Sequence, residues 1–242
     1  DVYHDLHMGM FGDRCAEKYG FSRSEQDDFA VASYQRALQS QQEGKFAAEI
    51  TPIEIAGRKG TVTVEVDEEP TRFQEDKLRS LRPAFGKEGS VTAGNASSVN
   101  DGAAAIVVVS AAKRDELGIS PEARVVGYAS YARAPEWFTL APVGAVQRLI
   151  ERIDWRLDDV DLFEVNEAFS IVPMALMKDL QIPHEKVNVH GGAVALGHPI
   201  GASGTRVLVT LLGAMKDRGA RRGIATLCIG GGEGVAIAVE AC

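Results

Sequence analysis

The hydrophobic residues of this chain follow two different patterns, which meet near residue 100. In the first part, Ser22 and Glu25 match the sequence of a capping box, and apolar residues then recur at helical spacing until Gly44. Those apolar residues are Phe29, Ala30, Ala37 and Leu38. The pattern predicts one amphipathic helix over about 22–43.

The rest of the first part contains two β-rich runs and a polar stretch. Glu49–Ile55 and Thr61–Val66 lie on either side of Gly57-Arg-Lys-Gly60 and predict a hairpin. Residues 67–89 are polar and charged, with little periodicity. We therefore expect residues 1–99 to form an irregular region that covers a ligand.

From Asn100 onward, apolar runs typical of buried strands alternate with helical patterns. The predicted strands are Ala103–Val109, Arg124–Tyr131, Leu162–Val165, Val187–His190, Gly223–Ile229 and Val235–Ala241. The predicted helices are Ala111–Leu117, Val143–Arg152, Ala168–Leu180 and Ala202–Arg218. This alternation predicts an α/β protein with a mainly parallel sheet covered by helices.

Composition agrees with a globular protein and narrows the possible ligands. Of the 242 residues, 45% are hydrophobic and 25% charged, and no apolar run approaches the roughly 20 residues of a membrane helix. The net charge of −8 disfavours nucleic acid, although a local basic patch can hold one phosphorylated ligand. Cys15, Cys228 and Cys242 are too few and too scattered for a disulfide framework or a zinc site. We therefore expect no metal and a reducing, cytoplasmic location.

Three short segments place polar or reactive groups after predicted strands, where open α/β sheets carry their sites. They are Asn166-Glu-Ala-Phe169, the glycine-rich segment Gly191–Gly204 around His198, and Cys228-Ile-Gly-Gly-Gly-Glu-Gly234. Taken singly, each has a structural explanation: a helix cap, a tight connection and a buried small hydrophobe. Histidine is, however, the usual general base near neutral pH, and glycines after Cys228 expose backbone amides next to a thiol.

The ordered set Asn-Glu-Ala-Phe, Gly-His-Pro-Ile-Gly-Ala-Ser-Gly and Cys-Ile-Gly-Gly-Gly resembles the thiolases. The resemblance extends to His7-Met8-Gly9, Gly57-Arg-Lys-Gly60, Leu81-Arg-Pro-Ala-Phe85 and Thr92–Ala105, and so to effectively the whole chain. It implies an α/β fold of the thiolase-like layered αβαβα type, incomplete in this chain, with a mixed sheet covered by helices. It also implies that the chain is the C-terminal portion of such a protein, whose nucleophilic cysteine lies upstream of residue 1.

The same resemblance divides the chain into three parts. Residues 1–99 would form an irregular α+β loop domain that covers CoA, 100–121 a strand and helix of the N-terminal core, and 122–242 the C-terminal core domain. The sheet partners of the strand at 103–109 would then lie in the N-terminal core. We therefore expect this strand to be exposed, and the isolated chain to associate or to be poorly soluble.

The resemblance implies a reversible Claisen condensation of two acetyl-CoA to acetoacetyl-CoA and CoA, or thiolytic cleavage of a short 3-ketoacyl-CoA. His198 would deprotonate the nucleophilic cysteine, and Cys228 would move a proton of the second substrate. Asn166 would hold a water that forms one oxyanion hole with His198, and the Gly230 amide would contribute to a second hole. Coenzyme A is then substrate or product, and no cofactor is expected.

Substrate contacts and assembly are implied in the same way. Ser97 would contact the pantetheine arm, His7 and Met8 would line the acyl pocket, and Arg72 would meet the nucleotide. Phe138 would border the acyl group and favour short chains. The plain interpretations are a solvated surface charge for Arg72 and core packing for Phe138. The resemblance further implies a homodimer or homotetramer that binds acetyl-CoA or CoA, and neither nucleic acid nor membrane.

Other interpretations compete with this one. A ketoacyl synthase would carry His in place of Cys228 and a sterol-carrier-type thiolase His in place of Asn166, so both are disfavoured. A hydrolase built from Cys228 and His198 leaves Asn166 and Ser97 unexplained. The remaining alternative is a non-catalytic CoA-binding module that lacks the nucleophile.

Overall fold

The computed structural model describes residues 1–58 and 60–242. Its helices are α1 (Met8–Tyr19), α2 (Arg23–Gln42), α3 (Glu68–Thr71), α4 (Glu75–Ser80), α5 (Ala111–Leu117), α6 (Ala141–Ile153), α7 (Ile171–Leu180), α8 (Ala193–Leu196) and α9 (Ser203–Arg218). Its strands are β1 (Ile53–Gly57), β2 (Gly60–Val64), β3 (Ala123–Ala132), β4 (Leu162–Val165), β5 (Arg222–Ile229) and β6 (Glu233–Ala241). Among these described residues, no helix combines the length and the apolar character needed to cross a membrane.

Two long helices occupy the start of the chain. The predicted helix is confirmed by α2, and its capping box is present: the Ser22 hydroxyl accepts from the Glu25 N–H (3.2 Å), and the Glu25 carboxylate accepts from the Ser22 N–H (2.7 Å). The sequence patterns do not predict α1, because Gly9 and Gly12 interrupt its apolar face. Its buried side, which includes Phe11, packs against α7.

The predicted hairpin is confirmed. β1 and β2 pair antiparallel, with Ile53 opposite Val64 and Ile55 opposite Val62. The first strand begins at Ile53 rather than earlier, and the predicted turn includes Lys59, which lies outside the described residues. Every residue of both strands is exposed to solvent.

A four-stranded sheet has the order β3-β6-β5-β4. In the described part of the chain, β4 and β5 run parallel, whereas the β3–β6 and β5–β6 pairs are antiparallel. The prediction of a mainly parallel sheet is therefore wrong, and the mixed sheet implied by the family resemblance is confirmed. The cause is the connection at 230–232 between β5 and β6, which is too short for a crossover and permits only a hairpin.

The sheet lies between two layers of helices. On one face, Phe163 and Ile224 belong to the larger core, which includes residues of α6 and α7. On the other face, the neighbouring residues Leu162 and Ala225 pack with α9. Successive strand residues thus face opposite helical layers, which explains the continuous apolar runs in the sequence. The helices predicted in the regions of α6, α7 and α9 are confirmed.

The predicted strand Ala103–Val109 is wrong, because these residues form no strand pairing. Val107 and Val108 are 87% and 75% exposed, and the following helix α5, which is confirmed, buries none of its residues. A strand needs partners for its backbone groups, and the described residues supply none at this position. The expectation that this apolar segment is exposed is confirmed.

The predicted strand Val187–His190 is also wrong. Val187 forms an isolated bridge with Phe163, and Asn188 then adopts a left-handed conformation (φ 47°) that ends the extended path. The Asn188 side chain makes the pairing instead. Its Oδ1 accepts from the Val165 N–H (2.7 Å), and its Nδ2 donates to the Val165 carbonyl (2.8 Å).

Candidate active site

The three segments that carry reactive groups meet at one edge of the sheet. Asn166 directly follows β4, and its backbone N–H donates to the Thr226 carbonyl of β5 (3.0 Å). Cys228 lies further along β5, opposite Gly234 of β6. His198 shortly precedes α9, which packs on β4 and β5. The carboxyl ends of parallel strands share one edge, so the β4–β5 pairing places Asn166 and Cys228 at the same end of the sheet.

His198 is held at both ring nitrogens and at its backbone. Nδ1 lies 2.5 Å from Oγ of Ser203, and Nε2 lies 3.4 Å from Nδ2 of Asn166. The backbone N–H donates to the Ser98 carbonyl (3.1 Å) and to Oδ1 of Asn100 (3.0 Å). The orientation of the imidazole is therefore determined from several directions.

Two glycines allow the loops around His198 to pack this closely. Gly197 has a φ of 92°, and a Cβ at this position would overlap the side chain of Asn100. A Cβ at Gly192 would overlap the carboxyl group of Glu167. These motif glycines are therefore required for packing beside the histidine.

We assign the proton of the neutral His198 ring to Nδ1 from the hydrogen bonds of Ser203. The Ser203 hydroxyl has one hydrogen and donates it to the Pro199 carbonyl (3.0 Å). It therefore accepts from Nδ1–H of His198, which leaves Nε2 with its lone pair. Burial lowers the pKa of His198, and the positive charge of Arg206 lowers it further. The ring is thus neutral near pH 7, with a basic Nε2 beside the amide of Asn166.

Cys228 is the second reactive group at this edge. It is 7% exposed, and burial raises the pKa of its thiol to about 12, so the thiol is protonated at neutral pH. Gly230 in the following turn is exposed, and open space lies where a Cβ would stand. The site therefore combines a neutral base, a protonated thiol and an accessible stretch of backbone.

Glu167 is a residue that sequence reasoning missed. Its buried carboxylate accepts from Oγ of Ser33 (2.7 Å), from Nδ2 of Asn188 (2.8 Å) and from the Val194 N–H (3.1 Å). It therefore links α2, the loop that contains Asn188, and α8. These contacts lie directly beside Asn166. The sequence does contain a signal for Glu167: an acidic residue lies between a buried strand and an apolar helix. A buried carboxylate without hydrogen-bond partners is costly, so this position predicts a polar network.

Ser97 lies against the Asn-Glu-Ala-Phe segment. Its N–H and its hydroxyl both donate to the Ala168 carbonyl, each at 3.1 Å. Val99, two residues further along, forms an isolated bridge with His198. Ser97 is half-buried and lies at the border of the site.

A row of aromatic rings connects His7 with Phe138. His7 stacks on Phe85 with 4.5 Å between ring centroids. Phe85 and Phe138 each meet Phe169 edge-on, at 6.2 Å in both cases. Phe169 belongs to the Asn-Glu-Ala-Phe segment, so the row passes beside the site. Met8 is half-buried, and Phe138 is 3% exposed within the core, which also fits its plain interpretation.

Arg72 lies apart from the other predicted site residues. Its side chain is 70% exposed and forms an ion pair with Glu68 at 2.5 Å. Within the part of the chain that the structure describes, no hydrogen bond links Arg72 to the groups around His198. Its contacts are those of a solvated surface charge.

The fold and the sheet edge with its histidine, cysteine and asparagine define a thiolase-type α/β protein. The chain belongs to the thiolase family: the model of the thiolase N-terminal domain matches residues 1–112, and that of the thiolase C-terminal domain matches 119–241. The acetyl-CoA acetyltransferase of Chromobacterium violaceum is 50% identical over 242 residues.

Solved structures give the same result. The acetyl-CoA acetyltransferase of Bacillus anthracis superposes with a TM-score of 0.96 at 44% identity. A thiolase from Ascaris suum, solved in complex with coenzyme A, superposes with a TM-score of 0.94 at 40% identity. The three alignments cover 99%, 99% and 100% of this chain, but only 62%, 61% and 62% of the respective relatives. The chain therefore spans less than two thirds of the length of the proteins it matches.

Proposed function

We propose that residues 1–242 carry the acid–base machinery of an acyl-CoA thiolase. The reaction is the reversible condensation of two acetyl-CoA to acetoacetyl-CoA and CoA, or, in reverse, the thiolytic cleavage of a short 3-ketoacyl-CoA. The observation that carries this proposal is the neutral His198, whose Nε2 faces Asn166 at the sheet edge that also bears the thiol of Cys228. The relatives named acetyl-CoA acetyltransferase support the same reaction.

The nucleophile of the first half-reaction is a cysteine outside residues 1–242, since the exposed Cys242 follows β6 at the end of the strand remote from Gly234. Cys15 is fully buried, and burial raises its pKa to about 11. Cys228 has an even higher pKa, and the reactive form of a cysteine is the thiolate. Nε2 of His198 takes the proton of the external thiol, whose sulfur attacks the thioester. His198 keeps that proton as imidazolium, and the departing CoA sulfur takes the proton of the Cys228 thiol, so the acyl group moves without a net change of charge.

The protonated thiol of Cys228 suits the second proton transfer. In the cleavage direction, the carbon–carbon bond of the 3-ketoacyl-CoA breaks, and the acetyl-CoA enolate takes the thiol proton on its α-carbon. The incoming CoA thiol returns a proton to Cys228 as its sulfur takes the acyl group from the enzyme. In condensation, each of these transfers runs in reverse.

Two sets of donors stabilise the oxygen charges that form in these steps. A water held by Asn166, together with protonated His198, stabilises the enolate oxygen. The N–H of Gly230 stabilises the tetrahedral intermediate at the nucleophile. A fixed donor of this kind contributes about 10²- to 10³-fold to the rate.

The substrate contacts and the assembly belong to the same proposal. Ser97 contacts the pantetheine arm of CoA, His7, Met8 and Phe138 border the acyl end, and Arg72 meets the nucleotide. CoA is substrate and product, and the relative from Ascaris suum that was solved with coenzyme A supports this ligand. We further propose the division into 1–99, 100–121 and 122–242, a homodimer or homotetramer, and a cytoplasmic location.

The test is cleavage of acetoacetyl-CoA by CoA, followed as loss of enolate absorbance. It uses the complete protein, including whatever precedes residue 1. We expect turnover in the unchanged protein and a loss of about 10²-fold or more in H198N and in C228S. H4N, at an exposed histidine, is the matched control and should keep full activity. An unchanged protein that does not cleave acetoacetyl-CoA contradicts the thiolase proposal.

A non-catalytic CoA-binding module is the second candidate. It is favoured by the unsuitable pKa values of Cys15 and Cys228. Incubation of the complete protein with acetyl-CoA, followed by mass spectrometry, separates the two candidates. An acetylated cysteine supports the enzyme, whereas CoA binding without acetylation supports the binding module.

A further inference from the structure

Asn166 lies between His198 and a largely buried cation. Arg206 of α9 donates through Nη2 to Oδ1 of Asn166 (3.4 Å) and through Nη1 to Oε1 of Glu164 (3.0 Å). Nη1 also lies 3.5 Å from the Thr210 hydroxyl, and 18% of the Arg206 side chain is exposed. We infer that Arg206 is a positioning residue that orients the Asn166 amide toward His198. This inference rests on the proposed thiolase function and deepens it.

The guanidinium determines which end of the Asn166 amide faces the histidine. A half-turn of the amide exchanges its oxygen and its nitrogen with little change in shape. Arg206 offers only donors, so the amide oxygen is held toward Arg206, and Nδ2 faces Nε2 of His198 at 3.4 Å. The opposite orientation would set NH₂ against the guanidinium and Oδ1 against the lone pair of Nε2. Both of those contacts would be repulsive.

Glu164 holds the guanidinium in place. Glu164 and Asn166 are two residues apart at the end of β4 and therefore face the same side, from which Arg206 reaches both. Glu164 is 1% exposed; burial raises its pKa, and the charge of Arg206 opposes that rise. A lysine at this position would keep the charge but could not present the planar fork that spans both acceptors.

The charge of Arg206 has a second effect, on the histidine itself. It disfavours the imidazolium of His198 and adds to the effect of burial on the pKa of that ring. The other groups in contact with His198 are uncharged: the Asn166 amide after β4, the Ser203 hydroxyl on α9, the Ser98 carbonyl and the Asn100 amide. Four carboxyl groups interact electrostatically with Arg206 in turn: Glu164, Glu167, Glu49 and Asp67. Loss of the Arg206 charge should therefore raise the pKa of His198.

The kinetic test compares R206K and R206Q in the complete protein. R206K keeps the charge but loses the fork, so kcat for acetoacetyl-CoA cleavage should fall about 10- to 100-fold, with KM within about twofold. In R206Q, kcat should fall by the same factor, and the acidic limb of the pH profile of kcat/KM should also move to higher pH. The control R222Q removes an ion-paired arginine at the far end of β5 and should change neither quantity. A kcat of R206K equal to that of the unchanged protein overturns the inference.

An NMR titration of the His198 ring gives a readout that needs no turnover. H198N assigns its signal among those of the histidines, five of which lie within residues 1–242. The ¹⁵N shift of Nε2 should move in both Arg206 variants, because it reports the hydrogen bond from Asn166, whereas the pKa should rise in R206Q alone. If the unchanged protein lacks thiolase activity, the proposed function fails and the titration still decides the inference. An Nε2 shift that is the same in all variants overturns it.

If the Arg206 variants do not fold, variants of Glu164 test the same contact between Arg206 and Glu164. E164Q keeps an oxygen for Nη1 of Arg206, whereas E164L removes it. We expect E164L to lower kcat about 10- to 100-fold and E164Q to cause a clearly smaller loss. Equal losses in the two variants overturn the inference.

Discussion

The imidazole of His198 shows how a single hydroxyl can set the chemistry of a site. Because Ser203 gives its hydrogen to the Pro199 carbonyl, it can only accept from Nδ1 of His198. The lone pair of Nε2 is thereby directed at Asn166. The proposed base depends on this tautomer as much as on its lowered pKa.

S203A tests the tautomer. It removes the acceptor of Nδ1–H, so the ring can exchange its proton between the two nitrogens. We expect kcat for acetoacetyl-CoA cleavage to fall about tenfold with little change in KM. The control is S170A, since Ser170 is equally buried and its Oγ has no hydrogen-bond partner among the described residues. Equal kcat values for the two variants would contradict the assigned tautomer.

Glu49 should make stability depend on pH. Its Oε2 is buried without a hydrogen-bond partner in the part of the chain that is described, and burial raises the pKa of Glu49 from 4.5 to about 7. Between these two values the folded protein keeps a proton that the unfolded chain has lost. The free energy of unfolding therefore falls as the pH rises through this window.

E49Q should remove this dependence. At pH 7.5 we expect it to raise the free energy of unfolding by about 1–2 kcal/mol, a value reduced for partial solvent screening, and at pH 4 to change little. Thermal unfolding of the complete protein at both pH values measures the difference. The control E54Q replaces an exposed glutamate on β1 and should have no effect. The same gain for E49Q at both pH values would refute the explanation.

Among the elements, β4 is paired at its end by a side chain: the Asn188 amide makes the hydrogen bonds that a neighbouring strand would otherwise make. Val187 pairs with Phe163, but the left-handed backbone of Asn188 prevents further pairing. Its amide then satisfies both backbone groups of Val165 and donates to Glu167. This one residue therefore closes the end of β4 and supports the segment that carries Asn166.

N188A should be strongly destabilising. It leaves the buried N–H and carbonyl of Val165 without partners, which should cost about 2–4 kcal/mol. The control Q181A lies at an exposed position with a similar left-handed backbone (φ 54°), so it measures the conformational cost alone. Chemical denaturation of both variants gives the comparison. Similar losses would show that the side-chain hydrogen bonds of Asn188 contribute little.

For the molecule as a whole, the segment around the junction of the two family-domain matches exposes apolar surface. Val99, Val107 and Val108 are 82%, 87% and 75% exposed, and Leu117 and Ile119 follow at 53% and 43%. The two domain matches end at 112 and begin at 119, so this surface lies next to their junction. Large exposed apolar surfaces usually mark contact sites. We therefore expect the isolated 242-residue chain to self-associate.

The double variant V107K/V108K should reduce this association. Analytical ultracentrifugation of the isolated chain should give a lower average mass for the variant than for the unchanged chain. T61K/T63K adds the same charge at exposed positions of β2 and should leave the mass unchanged. If the unchanged chain is a monodisperse monomer that melts cooperatively, the expectation is wrong.

The elements whose signals are local can be predicted from the amino-acid sequence alone. The helix α2 follows from its capping box and apolar spacing, and α6, α7 and α9 follow from periodicity, as does the hairpin of β1 and β2. The three motifs around Asn166, His198 and Cys228 could also be found in this way. Residues that are neighbours along the chain can be recognised together without any knowledge of the fold.

The direction of strand pairing and the partners of the buried polar groups become known only from the folded chain. Arg206 lies 40 residues from Asn166 in sequence and 42 from Glu164, and Glu167 meets Ser33 across 134 residues. Hydrophobic periodicity indicates which residues are buried, but it carries no information about which buried donor meets which acceptor. That choice depends on how α9 and α2 approach the end of β4, and this approach is a property of the folded chain.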